Sequence, residues 1–138
     1  MMETYILKDD VKLLCVDATS FPEGITEAHD KLRALLPKNN GQNFYAISHP
    51  LENGKIIYKA AVEESFSGES DELKLETFIL KKGKYIGSRI VNYADHMESI
   101  GMTFQKILHD PRIDPHGCCV EKYLNEKDVQ CMVRLEPN

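Results

Sequence analysis

One helical pattern of apolar residues occurs twice in the sequence, and the two copies lie 72 residues apart. The first copy starts at Ile25 and the second at Met97. Both place apolar or small residues, His29 excepted, at positions i, i+3, i+4, i+7, i+10 and i+11. That spacing is typical of one face of an amphipathic α-helix. Upstream, Phe21 aligns with Tyr93 at the same offset. We interpret His29 as a hydrogen-bonded residue at the edge of the core rather than a ligand.

Segments typical of β-strands flank both helices in the same order. Each helix follows one short segment of β-branched or alternating character and precedes two more. An Asn-Gly pair at 53–54 predicts a tight hairpin between the two segments that follow the first helix. The predicted strands are residues 12–18, 44–48 and 55–62 in the first copy, residues 85–91, 118–124 and 129–135 in the second, and an additional strand at 75–80.

The repeat predicts an α+β fold made of two β-α-β-β units. We expect these units, about residues 1–66 and 73–138, to form one curved antiparallel sheet with both helices on one face and a ligand cleft on the other. Segment 64–72, rich in serine, glycine and acidic residues, is interpreted as the linker. Because the halves share a sheet, the chain is predicted to be a single domain. An uncovered sheet face or an exposed strand edge also allows a homodimer.

Composition and charge exclude several classes of protein. With 42% apolar and 28% charged residues the chain is an ordinary globular protein. A net charge of −5 without a Lys/Arg cluster argues against direct nucleic-acid binding, because phosphate neutralisation supplies most of that affinity. No apolar run approaches the roughly 18 residues of a membrane-spanning helix, and the N-terminus lacks the pattern of an export signal. We therefore expect a soluble, cytoplasmic protein without membrane association.

The cysteines and histidines do not follow a metal-binding pattern. The spacing of Cys15, Cys118, Cys119 and Cys131 matches no zinc site, and the five histidines form no ligand set. We predict neither a metal nor a cofactor, and we interpret the thiols as small buried hydrophobes. The sequence also lacks a GxSxG elbow and a glycine-rich phosphate loop after a strand.

The predicted strand at 118–124 carries the main functional candidate. Because successive side chains alternate between the faces of a strand, one face carries Cys119, Glu121 and Tyr123, and the other carries Cys118, Val120, Lys122 and Leu124. We expect the second set to pack beneath a helix. If the first face is solvated, Glu121 is an ordinary surface residue. If that face lines a cavity, Glu121 is a desolvated carboxylate that needs a cation, hydrogen bonds or a proton.

Tyrosines on neighbouring strands complete the predicted ligand site. The candidate ligand contacts around the carboxylate are Tyr123, Cys119, Tyr58, Tyr85 and Tyr45, with Phe44 as the alternative to Tyr45. An acid surrounded by tyrosines suits a cationic or polar aromatic guest through ion pairing, cation–π contact and apolar burial. The alternative is that these aromatic residues belong to the core or to half-exposed strands, which favour them in any case.

Three segments also carry a family resemblance. Residues 57–64 (Ile-Tyr-Lys-Ala-Ala-Val-Glu-Glu), 82–85 (Lys-Gly-Lys-Tyr) and 120–125 (Val-Glu-Lys-Tyr-Leu-Asn) resemble the GyrI-like effector-binding domains of AraC- and MerR-type regulators and of stand-alone proteins. The resemblance spans nearly the whole chain. It implies a curved antiparallel sheet with two helices on its convex side and a ligand cleft between the halves. It also implies that the glutamate of the E-x-Y-like strand, here Glu121, contacts the ligand.

The chain departs from that family in two respects. The first predicted strand begins near the N-terminus and leaves no room for a helix-turn-helix module, so the regulatory role is not carried over. The loop at 112–117 is long and can reshape the mouth of the cleft, so the family's ligand preference is not carried over either.

Three functions are compatible with these observations. The first is a stand-alone small-molecule binding protein that holds an aromatic or cationic ligand around Glu121. The second is a hydrolase of electrophilic small molecules, as implied by some stand-alone relatives, with Glu121 as general base and Tyr85 orienting or protonating the substrate. The third is a protein-interaction module like the gyrase-inhibiting relatives. Catalytic roles are assigned under the second hypothesis alone.

Overall fold

The computed structural model describes residues 2–36, 43–51 and 53–137. Within these ranges a 3₁₀ turn, Tyr93–Asp95, precedes the last helix. None of the described helices has the length and apolar character that crossing a bilayer requires. The strands and helices are β1 (Glu3–Leu7), β2 (Val11–Asp17), α1 (Ile25–Leu35), β3 (Phe44–Pro50), β4 (Ile56–Glu63), α2 (Glu69–Leu73), β5 (Glu76–Leu80), β6 (Gly83–Ile90), α3 (Met97–Leu108), β7 (Cys119–Tyr123) and β8 (Val129–Arg134).

The chain forms two compact units. The α1 unit is Val11–Leu80, and the α3 unit combines the residues up to Asp10 with those from Lys81 onwards. The α1 unit has the strand order β3-β4-β2-β5, and the α3 unit has the matching order β7-β8-β6-β1. All of these neighbours within a unit pair antiparallel. The structure therefore confirms the α+β class and the antiparallel β-α-β-β plan, and the assignment of the whole chain to one domain stays a prediction.

Each unit receives its edge strand from the other half of the chain. β1 precedes β2 in sequence but pairs with β6, and β5 precedes β6 but pairs with β2. At the point where the chain passes between units, the Asp10 carboxylate accepts a hydrogen bond of 2.8 Å from the Lys82 backbone N–H. These residues are 72 positions apart, the same offset as the helices. The sequence predicted β5 but not β1, because five residues at a chain end give little periodicity to detect.

One helix packs on one face of the sheet in each unit. In the α1 unit, Ala28 and Leu32 of α1 lie in a buried cluster with apolar residues of β2 and β4. In the α3 unit, Phe104 and Ile107 of α3 lie in a cluster with residues of β6 and β8. Burying a large apolar side chain of this kind contributes about 1.5–3 kcal/mol. The two predicted helical faces are thus confirmed, although their outer members Leu35, Met97 and Leu108 stay 44%, 56% and 49% exposed.

The turn and linker predictions had different outcomes. The hairpin between β3 and β4 is confirmed, and Gly54 adopts the left-handed conformation, with φ 84°, that its turn requires. Glu52 of the same turn lies outside the described residues. Segment 64–72 is more than a linker, because it contains the start of α2. There the Glu69 side chain, 2% exposed, accepts hydrogen bonds from the backbone N–H and the hydroxyl of Ser65.

Candidate functional site

Glu121 lies in the middle of β7 and is 7% exposed. The β7–β8 register places it directly opposite Cys131, with Tyr123 opposite Val129. Directly opposed residues of antiparallel strands project to the same side of the sheet. Glu121 therefore shares its face with Cys131 and Val129, both of which belong to the core cluster that contains residues of α3.

The predicted orientation of this strand was wrong. Cys119 and Tyr123, expected on the face away from the helix, pack against the cluster formed with Phe104 and Ile107 of α3. Alternation decides which residues share a face, but not which face the helix covers. The neighbouring strand settles the orientation here, since β8 alternates Val129, Cys131 and Val133 on the helix side with Gln130, Met132 and Arg134 on the other.

Glu121 nevertheless lies beside the helix rather than beneath it. Helix α3 makes its main contacts with β8 and β6. β7 is the next strand beyond β8 in the order of the unit. A carboxylate in the middle of β7 is thus on the helix side of the sheet but on a strand beside the α3 axis. The carboxylate is therefore buried at the flank of the helix.

A hydroxyl is the polar partner of this carboxylate. The Tyr123 hydroxyl donates a hydrogen bond of 2.9 Å to Glu121 Oε1. The Tyr123 ring is itself positioned by Tyr93, with ring centroids 5.7 Å apart. Burial raises the pKa of Glu121 to about 7, and the hydrogen bond from Tyr123 opposes part of that rise. Within the described residues no Lys, Arg or His forms an ion pair with Glu121.

The thiols around Glu121 are uncharged at neutral pH. Burial, reinforced by neighbouring acidic groups that include the Glu121 carboxylate, raises the pKa of Cys119 and of Cys131 to about 12. Burial raises the pKa of Cys118 to about 11. The thiolate is the nucleophilic and metal-binding form of cysteine, so these side chains present sulfur as an apolar surface. All four cysteines, Cys15 included, are free.

The structure does not bring Tyr85 to Glu121. Ile86 lies in the core cluster on the helix side of β6, so its neighbour Tyr85 faces the opposite side. Tyr85 is 2% exposed, and its hydroxyl donates a hydrogen bond of 2.5 Å to the Lys81 carbonyl oxygen. The geometry gives no support to a catalytic pair of Glu121 and Tyr85. Tyr123 occupies the position that such a partner requires.

The other two predicted tyrosines lie in the α1 unit on opposite faces of its sheet. Tyr58 is on the helix side, where its hydroxyl and His29 Nε2 share a hydrogen bond of 2.9 Å and Phe21 lies 5.8 Å away between ring centroids. Tyr45 is 2% exposed on the opposite side, and burial raises its pKa to about 12. The interpretation of His29 as a hydrogen-bonded residue is confirmed, and burial lowers its pKa to about 4.

Each unit also has a surface cavity of its own. The cavity of the α1 unit, about 520 Å³, includes Phe21 and Tyr58 among its lining residues. The cavity of the α3 unit, about 480 Å³, includes Lys84, Arg112 and Arg134. Neither cavity is lined by Glu121. The carboxylate is therefore distinguished by its burial and its partners rather than by these two surface depressions.

Sequence reasoning missed two residues that belong with Glu121. Tyr93 contacts Tyr123, and Cys131 lies directly opposite the carboxylate. Tyr93 aligns with Phe21 in the repeat, and each makes a ring contact with a strand tyrosine, although the two tyrosines, Tyr123 and Tyr58, occupy different positions in the strand registers. Cys131 was hidden because the register between β7 and β8 depends on pairing, which periodicity within one strand does not reveal.

Comparison with known proteins shows the fold. No protein-family model matches the sequence, and no curated protein matches it either. An integron cassette protein from the mobile metagenome of Vibrio cholerae is similar in structure, with a TM-score of 0.68 and 12% identity over 98% of this chain and 95% of that one. A hydrolase from Listeria innocua is similar with a TM-score of 0.63 and 10% identity, over 98% of this chain and 91% of that one. At these identities the likeness establishes the fold and leaves function to the site.

Proposed function

We propose that this chain binds a small molecule with a cationic or hydrogen-bond-donating group, and that Glu121 is the residue that receives it. The observation that carries the proposal is a carboxylate 7% exposed, with a tyrosine hydroxyl as its hydrogen-bond partner and no described cation paired with it. A buried carboxylate in such surroundings pays a desolvation cost that one neutral donor offsets in part. A positively charged guest offsets the remainder.

The surroundings of Glu121 support an aromatic guest. Tyr123 and Tyr93 present aromatic rings at one end of the carboxylate, and Cys119 and Cys131 present apolar sulfur around it. Rings and sulfur favour apolar and cationic groups through burial and cation–π attraction. The proposed guest is therefore an aromatic amine or a similar organic cation. The resemblance to GyrI-like effector-binding domains implies a ligand contact by the corresponding glutamate, but with a cleft on the face away from the helices, whereas Glu121 lies on the helix side.

A calorimetric titration with two molecules of the same shape tests the proposal. One is 1-naphthylmethylamine, which carries a cationic ammonium group, and the other is 1-naphthalenemethanol, which carries a neutral hydroxyl. Because charge-assisted hydrogen bonds are about twice as strong as neutral ones, we expect the amine to bind about tenfold or more tightly than the alcohol. Glu121→Gln is expected to remove the difference, while Glu126→Gln, at an exposed acid in the β7–β8 turn, keeps it. An amine that binds Glu121→Gln as tightly as the wild type contradicts the proposal.

Hydrolysis is a second candidate, favoured by the Tyr123–Glu121 hydrogen bond. A carboxyl group with a pKa of about 7 is suited to accept a proton from water near neutral pH. A hydroxyl 2.9 Å away is placed to orient that water or to donate to a leaving group. Turnover of an electrophilic substrate such as an epoxide of an aromatic alkene tests this. Glu121→Gln is expected to keep binding and lose the rate, and binding without product in the wild type contradicts it.

A further inference from the structure

The surface cavity of the α1 unit has two walls from separate parts of the chain. One wall is the end of β2 with the segment after it, from Asp17 to Phe21, and the other runs from the hairpin turn into β4, from Gly54 to Tyr58. The Ala18 backbone N–H donates a hydrogen bond of 2.9 Å to the Tyr58 carbonyl oxygen and joins the two walls. All of these residues belong to the α1 unit, so the cavity is built within one unit.

Backbone contacts hold both walls in place. In the hairpin turn, the Leu51 backbone N–H donates a hydrogen bond of 2.7 Å to the Lys55 carbonyl oxygen, and the Lys55 N–H donates one of 3.0 Å to the Asn53 side chain. In the other wall, the Gly24 N–H donates to the Ser20 carbonyl oxygen at 3.1 Å. A cavity whose walls are already ordered loses less conformational freedom when a guest binds.

Aromatic and aliphatic side chains from both walls meet in this cavity. The Phe21 and Tyr58 rings lie 5.8 Å apart between centroids at 34°, and Ile56 and Ile57 precede Tyr58 in the hairpin wall. Phe21 and Ile56 are each 40% exposed. Single exposed apolar residues are ordinary on a protein surface, whereas apolar side chains gathered in a concave site are typical of ligand pockets. The volume of about 520 Å³ also lies within the range of roughly 300–1,000 Å³ that such pockets have.

Helix α1 fixes the Tyr58 ring from behind. The Tyr58 hydroxyl and His29 Nε2 share a hydrogen bond of 2.9 Å, and the two rings meet edge to face with centroids 5.9 Å apart. Burial lowers the pKa of His29 to about 4, so the imidazole is neutral at neutral pH. The polar group of Tyr58 is thus engaged by the helix, and the ring is what this residue contributes to the cavity.

The cavity carries little net charge. Its charged lining residues are Asp17 and Lys55, which have opposite signs. The Asp17 carboxylate also forms an ion pair of 2.6 Å with Lys59 Nζ, so its charge already has a partner in the protein. Thr19 and Ser20 add hydroxyls to the lining, and a hydroxyl both donates and accepts hydrogen bonds. These features favour a guest with an apolar ring and one neutral hydrogen-bonding group over an ion.

We propose that this cavity binds a small uncharged aromatic molecule, an indole or a phenol, with its ring against Phe21 and Tyr58. Tilted and offset contacts between aromatic rings are favourable beyond the burial of their area. The N–H or O–H of the guest meets the hydroxyls of Thr19 and Ser20. This is a second site, in the other unit from Glu121, and it stands independently of the function proposed above.

Fluorescence titration with indole tests the proposal. The chain contains no tryptophan, so added indole is followed at wavelengths where tyrosine does not absorb. The variants are Phe21→Ala and Ile56→Ala in the cavity, and Glu121→Gln at the other site. The matched controls are Phe66→Ala and Ile79→Ala, at residues of the same unit that are 52% and 47% exposed and do not line the cavity. The melting temperature of each variant reports folding.

We expect Phe21→Ala to weaken indole binding about tenfold or more and Ile56→Ala about threefold or more, because each removes apolar contact with the guest. Phe66→Ala, Ile79→Ala and Glu121→Gln are expected to stay within about twofold of the wild type, since distant sites act independently. Binding that Phe21→Ala leaves unchanged overturns the proposal, as does the absence of binding up to the solubility limit of indole. If Phe21→Ala is unfolded at the titration temperature, Phe21→Leu gives the same comparison, because it keeps apolar bulk and removes the ring.

A charge series tests the class of guest. Tryptamine is a cation and indole-3-acetate is an anion, and both carry the ring of indole. They are titrated into Glu121→Gln, which removes the carboxylate proposed to receive cations. We expect neither ion to bind this variant more tightly than indole does. Binding of either ion that is about tenfold tighter than that of indole and is lost in Phe21→Ala overturns the assignment of an uncharged guest.

Discussion

Tyr123 and Glu121, two residues apart on β7, project to the same side of the sheet and are joined by a hydrogen bond of 2.9 Å from the tyrosine hydroxyl to the carboxylate. Strand alternation brings i and i+2 side chains together, and the contact between Tyr93 and Tyr123 limits the positions the ring can take. The hydroxyl is a neutral donor. It stabilises the ionised carboxylate without neutralising it, which leaves the charge available to a guest.

Removing the Tyr123 hydroxyl is expected to raise the pKa of Glu121 above its value of about 7. The hydrogen bond favours the ionised form and so lowers the pKa. Tyr123→Phe keeps the ring contact with Tyr93 and removes that donor. Carbon-detected NMR titration of the glutamate side-chain carboxyl measures the change directly. At pH 8, where the carboxylate is ionised, we also expect a loss of about 1 kcal/mol in the free energy of unfolding. An unchanged or lower pKa contradicts the assigned role.

Tyr5→Phe provides the opposite case and a control for the loss of a hydroxyl. Within the described residues the buried Tyr5 hydroxyl has no hydrogen-bond partner, whereas its ring lies under the Arg89 guanidinium at 5.4 Å. Phenylalanine keeps the ring and removes a hydroxyl whose desolvation is not offset by a hydrogen bond. We expect the free energy of unfolding to rise by up to about 1 kcal/mol in chemical denaturation. A loss of stability as large as that of Tyr123→Phe would show that the Tyr5 hydroxyl is satisfied.

Glu121 is expected to make the protein less stable as pH rises. Its pKa is raised from 4.5 to about 7, so the folded state binds the proton more tightly than the unfolded state. The stabilisation is therefore complete below about pH 4.5, is lost as pH rises towards 7, and is constant above that. Glutamine resembles the protonated form. The stability of Glu121→Gln relative to the wild type should increase across this window by on the order of 3 kcal/mol, as measured by urea unfolding at several pH values. A difference that is flat with pH contradicts the shift.

His29 is expected to act in the opposite direction over an overlapping range. Burial lowers its pKa from 6.5 to about 4, so the folded state resists protonation more than the unfolded state does. Its contribution is fully present above about pH 6.5 and is lost as pH falls towards 4. His29→Gln keeps a hydrogen-bonding group for Tyr58 but does not titrate in this range. Its stability relative to the wild type should rise as pH falls from 6.5 to 4, and a difference that grows with increasing pH argues against the neutral, buried histidine.

Periodicity predicted the parts of the fold that depend on local sequence. The two helices, the β3–β4 hairpin and the antiparallel plan follow from apolar spacing and from the Asn-Gly turn. Strand alternation also singled out Glu121 as a candidate between a thiol and a phenol, and its role in binding stays a prediction. These features are set within one element or between adjacent ones. They need no knowledge of the partner strand.

Features that depend on long-range pairing could not be predicted in this way. The face of β7 that meets the helix depends on the register between β7 and β8. The pairing of β1 with β6 and of β5 with β2 joins strands that are not neighbours in sequence. Tyr85 and Tyr45 were grouped with Glu121 because tyrosines on neighbouring strands look equivalent in sequence. Alternation then places Tyr85 on the opposite face of its sheet from Glu121, and Tyr45 on the opposite face of its own from Tyr58.

Two glycines in the α3 unit are expected to respond to alanine in opposite ways. Gly87 of β6 pairs with Met132, and a Cβ atom on it would lie 1.9 Å from the Cys131 carbonyl oxygen. That oxygen belongs to the backbone of β8, so the clash can be relieved only by separating the two strands. We therefore expect Gly87→Ala to lose about 3 kcal/mol or more in the free energy of unfolding. A Cβ atom on Gly101 meets nothing within 4 Å, and Gly101→Ala removes a glycine from the interior of a helix. It should gain about 0.5–1 kcal/mol. Thermal and urea unfolding of the two variants side by side measures both. A destabilised Gly101→Ala would contradict the open surroundings of this position.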